Sequence, residues 1–370
     1  VLTACAAPSA DPVPSSRAER ATVPLSTIEL GNVEPNQAID FDVPAGTLGF
    51  HALIQSSVAG QSAGVRTLRS PRGLIIENHV VAGCEIHFEA KALYDLGAIQ
   101  VPSVGPLAGG GPLPDGRWSL SVSAPASVRI LVQHTPDGRF HGGLLDVHLY
   151  LPEGLAVDRE AFTDVANPPP GIERRLSSFR EYIQKLYGLT LGEVRTHRID
   201  SRFRWVATSP ERSYLEAAGS AFRETRVGEA GQSAHIFFVE KDASCWGYSG
   251  GLPGPATTTS NERSGVMLAI SPSESASDDA RIAAEDASTL AHELGHFVGL
   301  QHTAMLPLTD CLDDTPSCDD TAKEHRDACP DRQNVMFFAG PQSFDSVWAS
   351  PTQKRVVSGS PIFRAFATDE

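Results

Sequence analysis

The chain reads as an α+β protein in which an all-β segment precedes a mixed α/β segment, and three observations carry that reading. Short apolar runs broken by turn residues fill residues 26–135 with no helical period. Further on, two stretches repeat apolar residues at three- and four-residue steps, as amphipathic helices do. Around them lie alternating or continuous apolar runs of strand length. At 370 residues the chain is long for one core and comfortable for two. We therefore divide it into a leading tether over residues 1–25, a β-sandwich of jelly-roll type over 26–138, and a mixed-sheet unit over 139–370.

The elements follow in order. Residues 6–24 are rich in Ala, Pro, Ser and Asp and cannot bury a core, so they read as a flexible tether. Residues 41–47, 68–73 and 115–122 read as strand, hairpin and strand of the sandwich. The Gly/Pro run over 102–116 is a long loop within it, and Thr135-Pro136-Asp137-Gly138 is the boundary turn. Leu145, Val147, Leu149 and Leu151 alternate with polar or amphipathic residues and predict a half-buried strand. A helix starts within 168–171, presents Ile172, Leu176, Phe179, Ile183 and Leu186 on one face, and stops at Gly188. A second helix is expected over 214–226, and buried strands over 234–239 and 265–270. The last long helix begins near Asp279 or Asp286 and ends at Val298. Elements in this order make a mixed sheet backed by helices.

That last helix carries chemistry. His292 and His296 stand four residues apart and share a helix face, so two ring nitrogens can meet one metal ion at roughly 2.0–2.1 Å. Glu293 sits beside them, off that face, where it can take a proton from an activated water. Gly299 ends the helix. Lacking Cβ, it adopts a left-handed conformation at little cost, and the turn can bring His302 to the same ion from another direction. Three ligands leave one position for water, which separates a catalytic zinc from a closed structural one. An amphipathic helix with surface histidines is the plain alternative, but it gives no reason for these residue types at this spacing. The spacing predicts a zinc-dependent peptidase with Glu293 as catalytic base and a protein or peptide as substrate.

In the run His292-Glu293-Leu294-Gly295-His296-Phe297-Val298-Gly299-Leu300-Gln301-His302 the chain resembles the metzincin zinc metalloproteases. The resemblance implies a methionine turn lying under the histidines. Of Met267, Met305 and Met336, the last fits, in Asn334-Val335-Met336-Phe337-Phe338; a gap-filling core methionine is the alternative. Within that clan the chain most resembles the pappalysin (cytophagalysin-like) group. Thr303, the acidic loop over 310–316 and Asn334-Val335-Met336 carry this likeness, which spans residues 230–357. It implies a metzincin-type catalytic fold in which the strand before the zinc helix is the sheet edge. Val266, Met267, Leu268 and Ala269 would then bind an extended peptide through the main chain, with residues 246–255 shaping the cleft. It also implies a Cys311–Cys329 disulfide, and calcium at Asp310, Asp313, Asp314, Asp319 and Asp320, where a solvated acidic loop is the alternative. Two departures stand out. Phe338 occupies the place of a family tyrosine, removing a phenol that could bind an oxyanion, and no cysteine follows Cys329. The amino-terminal sandwich is similar to accessory modules attached to exported bacterial proteases.

Composition sets further bounds. A formal charge of -15 with no Lys/Arg-rich run argues against nucleic acid and against adhesion to anionic lipid. No apolar run reaches the roughly 18 residues that a spanning helix needs. Leu2-Thr3-Ala4-Cys5 resembles the lipobox of bacterial lipoproteins, with the chain starting at Val1 as though a signal peptide had been trimmed. The likeness implies an exported bacterial protein anchored through a lipid on Cys5, its only link to a membrane; plain secretion is the alternative. Cys84, Cys245, Cys311, Cys318 and Cys329 remain, an odd number, and Cys318 with Cys245 is the second pairing we expect. A different class also fits part of the chain: a surface lipoprotein whose sandwich binds protein or glycan beside a non-catalytic metalloprotease-like unit. Glu293 argues against it, because a binding module needs no proton acceptor beside three metal ligands.

Overall fold

The computed structural model describes residues 20–78, 80–81, 96–102, 111–205, 231–240, 246–258, 263–271, 273, 275–303, 310, 312–315, 328–340 and 344–369. Nine strands come first: β1 Ser26–Val33, β2 Ile39–Val43, β3 Thr47–Ser56, β4 Val65–Ser70, β5 Gly73–Glu77, β6 Val80–Val81, β7 Leu96–Val101, β8 Gly116–Val122 and β9 Ala126–His134. They form two antiparallel sheets, ordered β1-β9-β3-β7 and β2-β8-β4-β5-β6. Alternating residues of both sheets meet in one apolar core, where Phe50 lies edge-on to Phe41 at 5.7 Å and to Trp118 at 5.1 Å. The Trp118 indole donates to Pro114 O at 2.9 Å, so the one polar atom of the largest core residue is satisfied. The hairpin expected over 68–73 is the β4–β5 turn.

The rest of the chain adds β10 Gly143–Pro152, β11 Ala156–Val157, β12 Glu160–Ala161, α1 Pro170–Tyr187, β13 Leu189–Ile199, β14 Ser233–Glu240, β15 Gly247–Ser249, β16 Val266–Ile270, α2 Asp279–Phe297, α3 Pro351–Ser358 and β17 Arg364–Ala365. The main sheet runs β13-β10-β14-β16-β15, with β17 also on β10. Its first four strands are parallel, while β15 and β17 are antiparallel to their neighbours. The expected mixed sheet is therefore present. The helix expected over 214–226 lies outside the described residues.

Apolar residues of one sheet face, including Leu145, Leu149, Ile236, Phe238, Val266 and Leu268, share a core with α1 and α2. The α1 stripe read from the sequence is buried as a set, Ile172, Leu176, Phe179, Ile183 and Leu186. Its carboxy end closes on Gly188 at φ 72, whose N–H reaches the carbonyls of Ile183 and Gln184. On the opposite face His148, His197, His235, Tyr150 and Phe237 stack ring on ring at 4.4–5.9 Å.

An ionic contact that periodicity does not reveal ties the two long helices together. Arg175 of α1 is fully buried and pairs with Asp286 of α2 at 2.7 Å and with Asp158 at 3.0 Å. Two further protons go to Gly171 O and Ser271 O. Losing one partner of such a pair strands a buried charge and costs about 3–5 kcal/mol, so the pair fixes how α2 lies against α1. Burial pushes the Asp286 carboxyl up to about 6 despite the guanidinium. Two turns earlier, Asp279 is held well below the usual carboxylate range by Arg159 and Ser273, with Arg174 close by.

One expectation is overturned. β16 is not the sheet edge: Val266, Met267, Leu268 and Ala269 pair with β14 on one side, Val266 to Leu268 pair with β15 on the other, and Ala269 N–H donates to Trp246 O at 3.0 Å. All four are buried on both faces. Their main-chain ladder is occupied, so they cannot take an added strand. Residues 247–249, read from the sequence as loop, supply the terminal strand. Among the described residues, no helix is long and apolar enough to cross a membrane.

Candidate metal centre

The last two turns of α2 carry His292, Glu293 and His296. Its buried side, Ile282, Ala283, Ala287, Leu290, Ala291 and Leu294, packs on α1 and β16 and so sets the rotation of the helix. The helix ends through Gly299 N–H to His296 O and Leu300 N–H to Gly295 O, both 2.9 Å. Gly299 itself sits at φ 104, a conformation a side chain would strain. The turn then carries His302 back over the helix.

The three rings converge. His302 Nε2 lies 3.2 Å from His292 Nε2 and 3.1 Å from His296 Nε2. His292 Nδ1–H donates to Val335 O at 2.6 Å and His296 Nδ1–H to Leu300 O at 2.8 Å, which leaves the Nε2 lone pairs of both rings facing inward. A proton on His302 Nε2 could serve only one of these neighbours, so at least one pair of lone pairs would oppose each other. A dication answers all three at once. Three nitrogens about 2.0–2.1 Å from a tetrahedral zinc stand about 3.3–3.4 Å apart, close to the separations observed. Burial lowers the basicity of all three imidazoles, His302 to about 3, so they stay neutral, as ligands must. Among the described residues these histidines form the one group able to hold a metal ion.

Glu293 is buried beside them, and burial alone pushes its carboxyl up to about 8. Its side chain lies against β15: a Cβ on Gly247 would fall 2.6 Å from Glu293 Cγ and 2.9 Å from Oε1. A bound cation would act in the opposite direction, favouring the ionised carboxylate.

Met336 lies under the helix, fully buried, and two glycine-dependent contacts explain how it gets there. A Cβ on Gly295 would meet Met336 Sδ at 2.5 Å and Tyr187 Oη at 2.8 Å, so only glycine lets the sulfur approach the helix between the two ligands. Tyr187 at the end of α1 donates to Ala291 O at 2.9 Å from the same side. The turn is pinned in place. Asn334 Oδ1 accepts from Met336 N–H at 2.8 Å, and the amides of Asn334 and Gln353 bond each other reciprocally at 2.9 and 3.0 Å. Thr303 joins the ligand segment to that turn, its N–H donating to Met336 O at 3.1 Å and its hydroxyl to Asp331. Gly247, Gly295, Tyr187 and Gln353 were not singled out in the sequence. The glycine within the motif was the one available signal, because a glycine inside a helix costs stability and needs a packing reason.

The acidic loop is engaged structurally. Asp310 accepts from Thr315 Oγ1 at 2.8 Å, and burial raises its pKa to about 7. Asp314 accepts from Thr352 N–H at 3.0 Å and so caps the amino end of α3. Asp319 and Asp320 lie outside the described residues, as do Cys5, Cys84, Cys245, Cys311 and Cys318. Cys329 is disulfide-bonded. Phe338 is half-buried, its ring 4.7 Å from that of Phe337.

No family model and no curated protein matches the chain. Solved structures do. An archaemetzincin from Methanopyrus kandleri is similar at 16% identity and a TM-score of 0.31, over 59% of this chain and 95% of that one. Metalloproteinase-II from Bacteroides fragilis is similar at 13% identity and 0.30, over 53% and 60%. Mature mirolysin of Tannerella forsythia, solved with a cleaved peptide, is similar at 12% identity and 0.31, over 59% and 90%. Likeness at this level says nothing of chemistry, which rests on the triad and its surroundings.

Proposed function

We propose that the chain is a zinc-dependent endopeptidase in which His292, His296 and His302 hold the metal and Glu293 is the general base. The observation that carries this reading is the convergence of three Nε2 atoms at 3.1–3.2 Å, two of them aimed by carbonyl bonds at Nδ1, next to a buried carboxylate. Zinc, when bound, supplies a Lewis acid for the attacking water and the scissile carbonyl.

The chain's own groups do the rest. Glu293 takes the proton of the attacking water and passes it to the departing amine, and a bound cation would favour the ionised carboxylate that a base must be. Val335 O and Leu300 O keep His292 and His296 in the tautomer that presents Nε2. An extended peptide aligns antiparallel to β15, the role first assigned to β16; the end position of β15 in the sheet and the contact of its Gly247 with Glu293 support this reading. Phe338 has no donor, so stabilisation of the oxyanion does not come from that side chain. Membership of the metzincin clan and the pappalysin group, division into a sandwich over 26–138 and a catalytic unit over 139–370, and export with a lipid on Cys5 complete the proposal. With Asp310 and Asp314 engaged by Thr315 and Thr352, calcium is left out of it.

Cleavage of denatured casein, with and without chelator, tests the reading together with Glu293→Gln. We expect one zinc per chain, activity abolished by chelation and restored by zinc, and a variant that keeps its metal yet loses turnover by orders of magnitude. A zinc-loaded protein that leaves casein intact would favour the binding-module alternative.

A further inference from the structure

Three glycines drawn from distant parts of the chain surround one glutamine beside the metal-binding turn. A Cβ on Gly299 would lie 3.1 Å from Gln100 Cβ and 3.4 Å from its Cγ. On Gly359, just after α3, it would lie 2.7 Å from Gln100 Nε2, and on Gly49 of β3 it would lie 3.3 Å from the same atom. Gln100 is fully buried, and its Oε1 pairs with His51 Nδ1 at 3.2 Å. His51 Nε2 in turn accepts from Ala256 N–H at 3.4 Å. Gln100, His51 and Gly49 belong to β7 and β3 of the amino-terminal sheets, whereas Gly299, Gly359 and Ala256 belong to the metal-binding unit.

The neighbouring contacts are equally intimate. Leu48 of β3 is part of the core shared by α1, α2 and the main sheet, and Arg355 of α3 donates to Leu48 O. Gln133 of β9 donates to Phe363 O at 2.9 Å. The segment before β1 is laced to the one around β17, with Val23 N–H to Ala365 O at 2.8 Å and Ala367 N–H to Ala21 O at 2.9 Å. None of these contacts is made by a ligand ring. The histidines themselves are partly buried, and His302 Nε2 meets the Nε2 atoms of the other two at 3.1–3.2 Å.

We propose that the amino-terminal two-sheet unit is a permanent buttress of the metal-binding turn rather than a removable pro-segment, with Gln100 as the positioning residue. The coupling is short and specific. Gln100 fills the space beneath Gly299; the next residue, Leu300, offers the carbonyl that orients His296, and His302 follows two residues later. A shift of the turn therefore misplaces two of three ligands at once. A detachable inhibitory segment would instead have to obstruct the ligands from the front. The inference rests on the metal-site reading above, not on peptidase activity.

Apparent zinc affinity and the visible spectrum of the cobalt-substituted full chain test it. Gln100→Ala should weaken metal binding about tenfold or more, the usual consequence of losing support for a ligand's orienting group, and should alter the cobalt bands. Gln100→Met keeps the stem under Gly299 and should restore most of the affinity. Leu68→Ala, in the apolar core between the two sheets, should lower the melting temperature without changing affinity. Unchanged affinity in a folded Gln100→Ala protein, or an equal loss in Leu68→Ala, overturns the proposal. In a second arm, a site-specific protease sequence is inserted between Pro136 and Asp137, both exposed. After cutting, the halves should co-elute with metal bound; release of the two-sheet unit from a carboxy-terminal part that keeps wild-type affinity overturns it. A chain that binds one ion but cleaves nothing would sink the peptidase reading and leave this one standing.

Discussion

Replacing Gly247 with alanine should disable the base without disturbing the metal. The added methyl would sit 2.6 Å from Glu293 Cγ, 2.9 Å from its Oε1 and 3.0 Å from Thr289 Cγ2. Carbon atoms in ordinary contact are about 3.5–4.0 Å apart, so the carboxylate arm must retreat by about 1 Å. A misplacement of that size typically costs about 100-fold in rate, or about 2.7 kcal/mol of transition-state stabilisation. No ligating nitrogen is among the three atoms nearest the new methyl, so zinc stoichiometry and affinity should match wild type. The assay is a fluorogenic peptide with kcat and KM determined separately, alongside zinc analysis. The fall should lie mainly in kcat, and Gly247→Ala combined with Glu293→Gln should be little worse than Glu293→Gln alone, since both remove the same function. Wild-type kcat in a folded, zinc-loaded Gly247→Ala enzyme would refute the placement of Glu293 against β15, and additive losses in the double variant would refute the shared cause.

Other perturbations separate the remaining parts. Gly295→Ala drives a methyl into Met336 Sδ and Tyr187 Oη, an overpacking that should cost about 1–3 kcal/mol in urea unfolding and weaken zinc binding; a variant as stable as wild type would contradict the Met336 contact. Tyr187→Phe removes only the bond to Ala291 O and should cost about 1 kcal/mol by the same assay, with no change meaning that the hydroxyl does not brace α2. Acid stability should depend on two carboxylates with opposite sign. Asp279, held low when folded, stabilises above the ordinary carboxylate pKa of about 3.9 and loses that contribution as pH falls through and below it, so Asp279→Asn should shrink the drop in melting temperature between pH 6 and pH 3. Asp286, raised to about 6 when folded, contributes below its unfolded pKa and loses that contribution as pH rises through 6; Asp286→Asn should therefore enlarge the same drop. Parallel changes in the two variants would contradict the assignment.

The parts that were legible in the sequence are those in which chemistry restricts both residue type and spacing. Metal ligation requires imidazoles at set intervals, which is why His292, His296 and His302 could be named and why their rings meet. Amphipathic periodicity gave the apolar stripe of α1, the end of α2 to within a residue, and its start as one of two positions, of which the first, Asp279, is the one observed. β15 was missed because a three-residue Gly-Tyr-Ser segment has no pattern of its own; it becomes a strand only by pairing with β16. The edge assignment of β16 came from family likeness and went against a cue in the residues themselves. Val266-Met267-Leu268-Ala269-Ile270 is apolar on both faces, as strands in the interior of a sheet are. Arg175 with Asp286, Tyr187 beneath Gly295, and Gln100 beneath Gly299 join residues about a hundred or more positions apart, and no local signal encodes such pairs.

X-ray absorption at the zinc edge of the reconstituted wild-type chain addresses the metal centre itself. Three imidazole nitrogens and one oxygen at about 2.0–2.1 Å, at one zinc per chain, are the predicted first sphere. Sulfur scatterers, fewer than three imidazoles, or a zinc signal that survives conversion of His302 to alanine unchanged would contradict it.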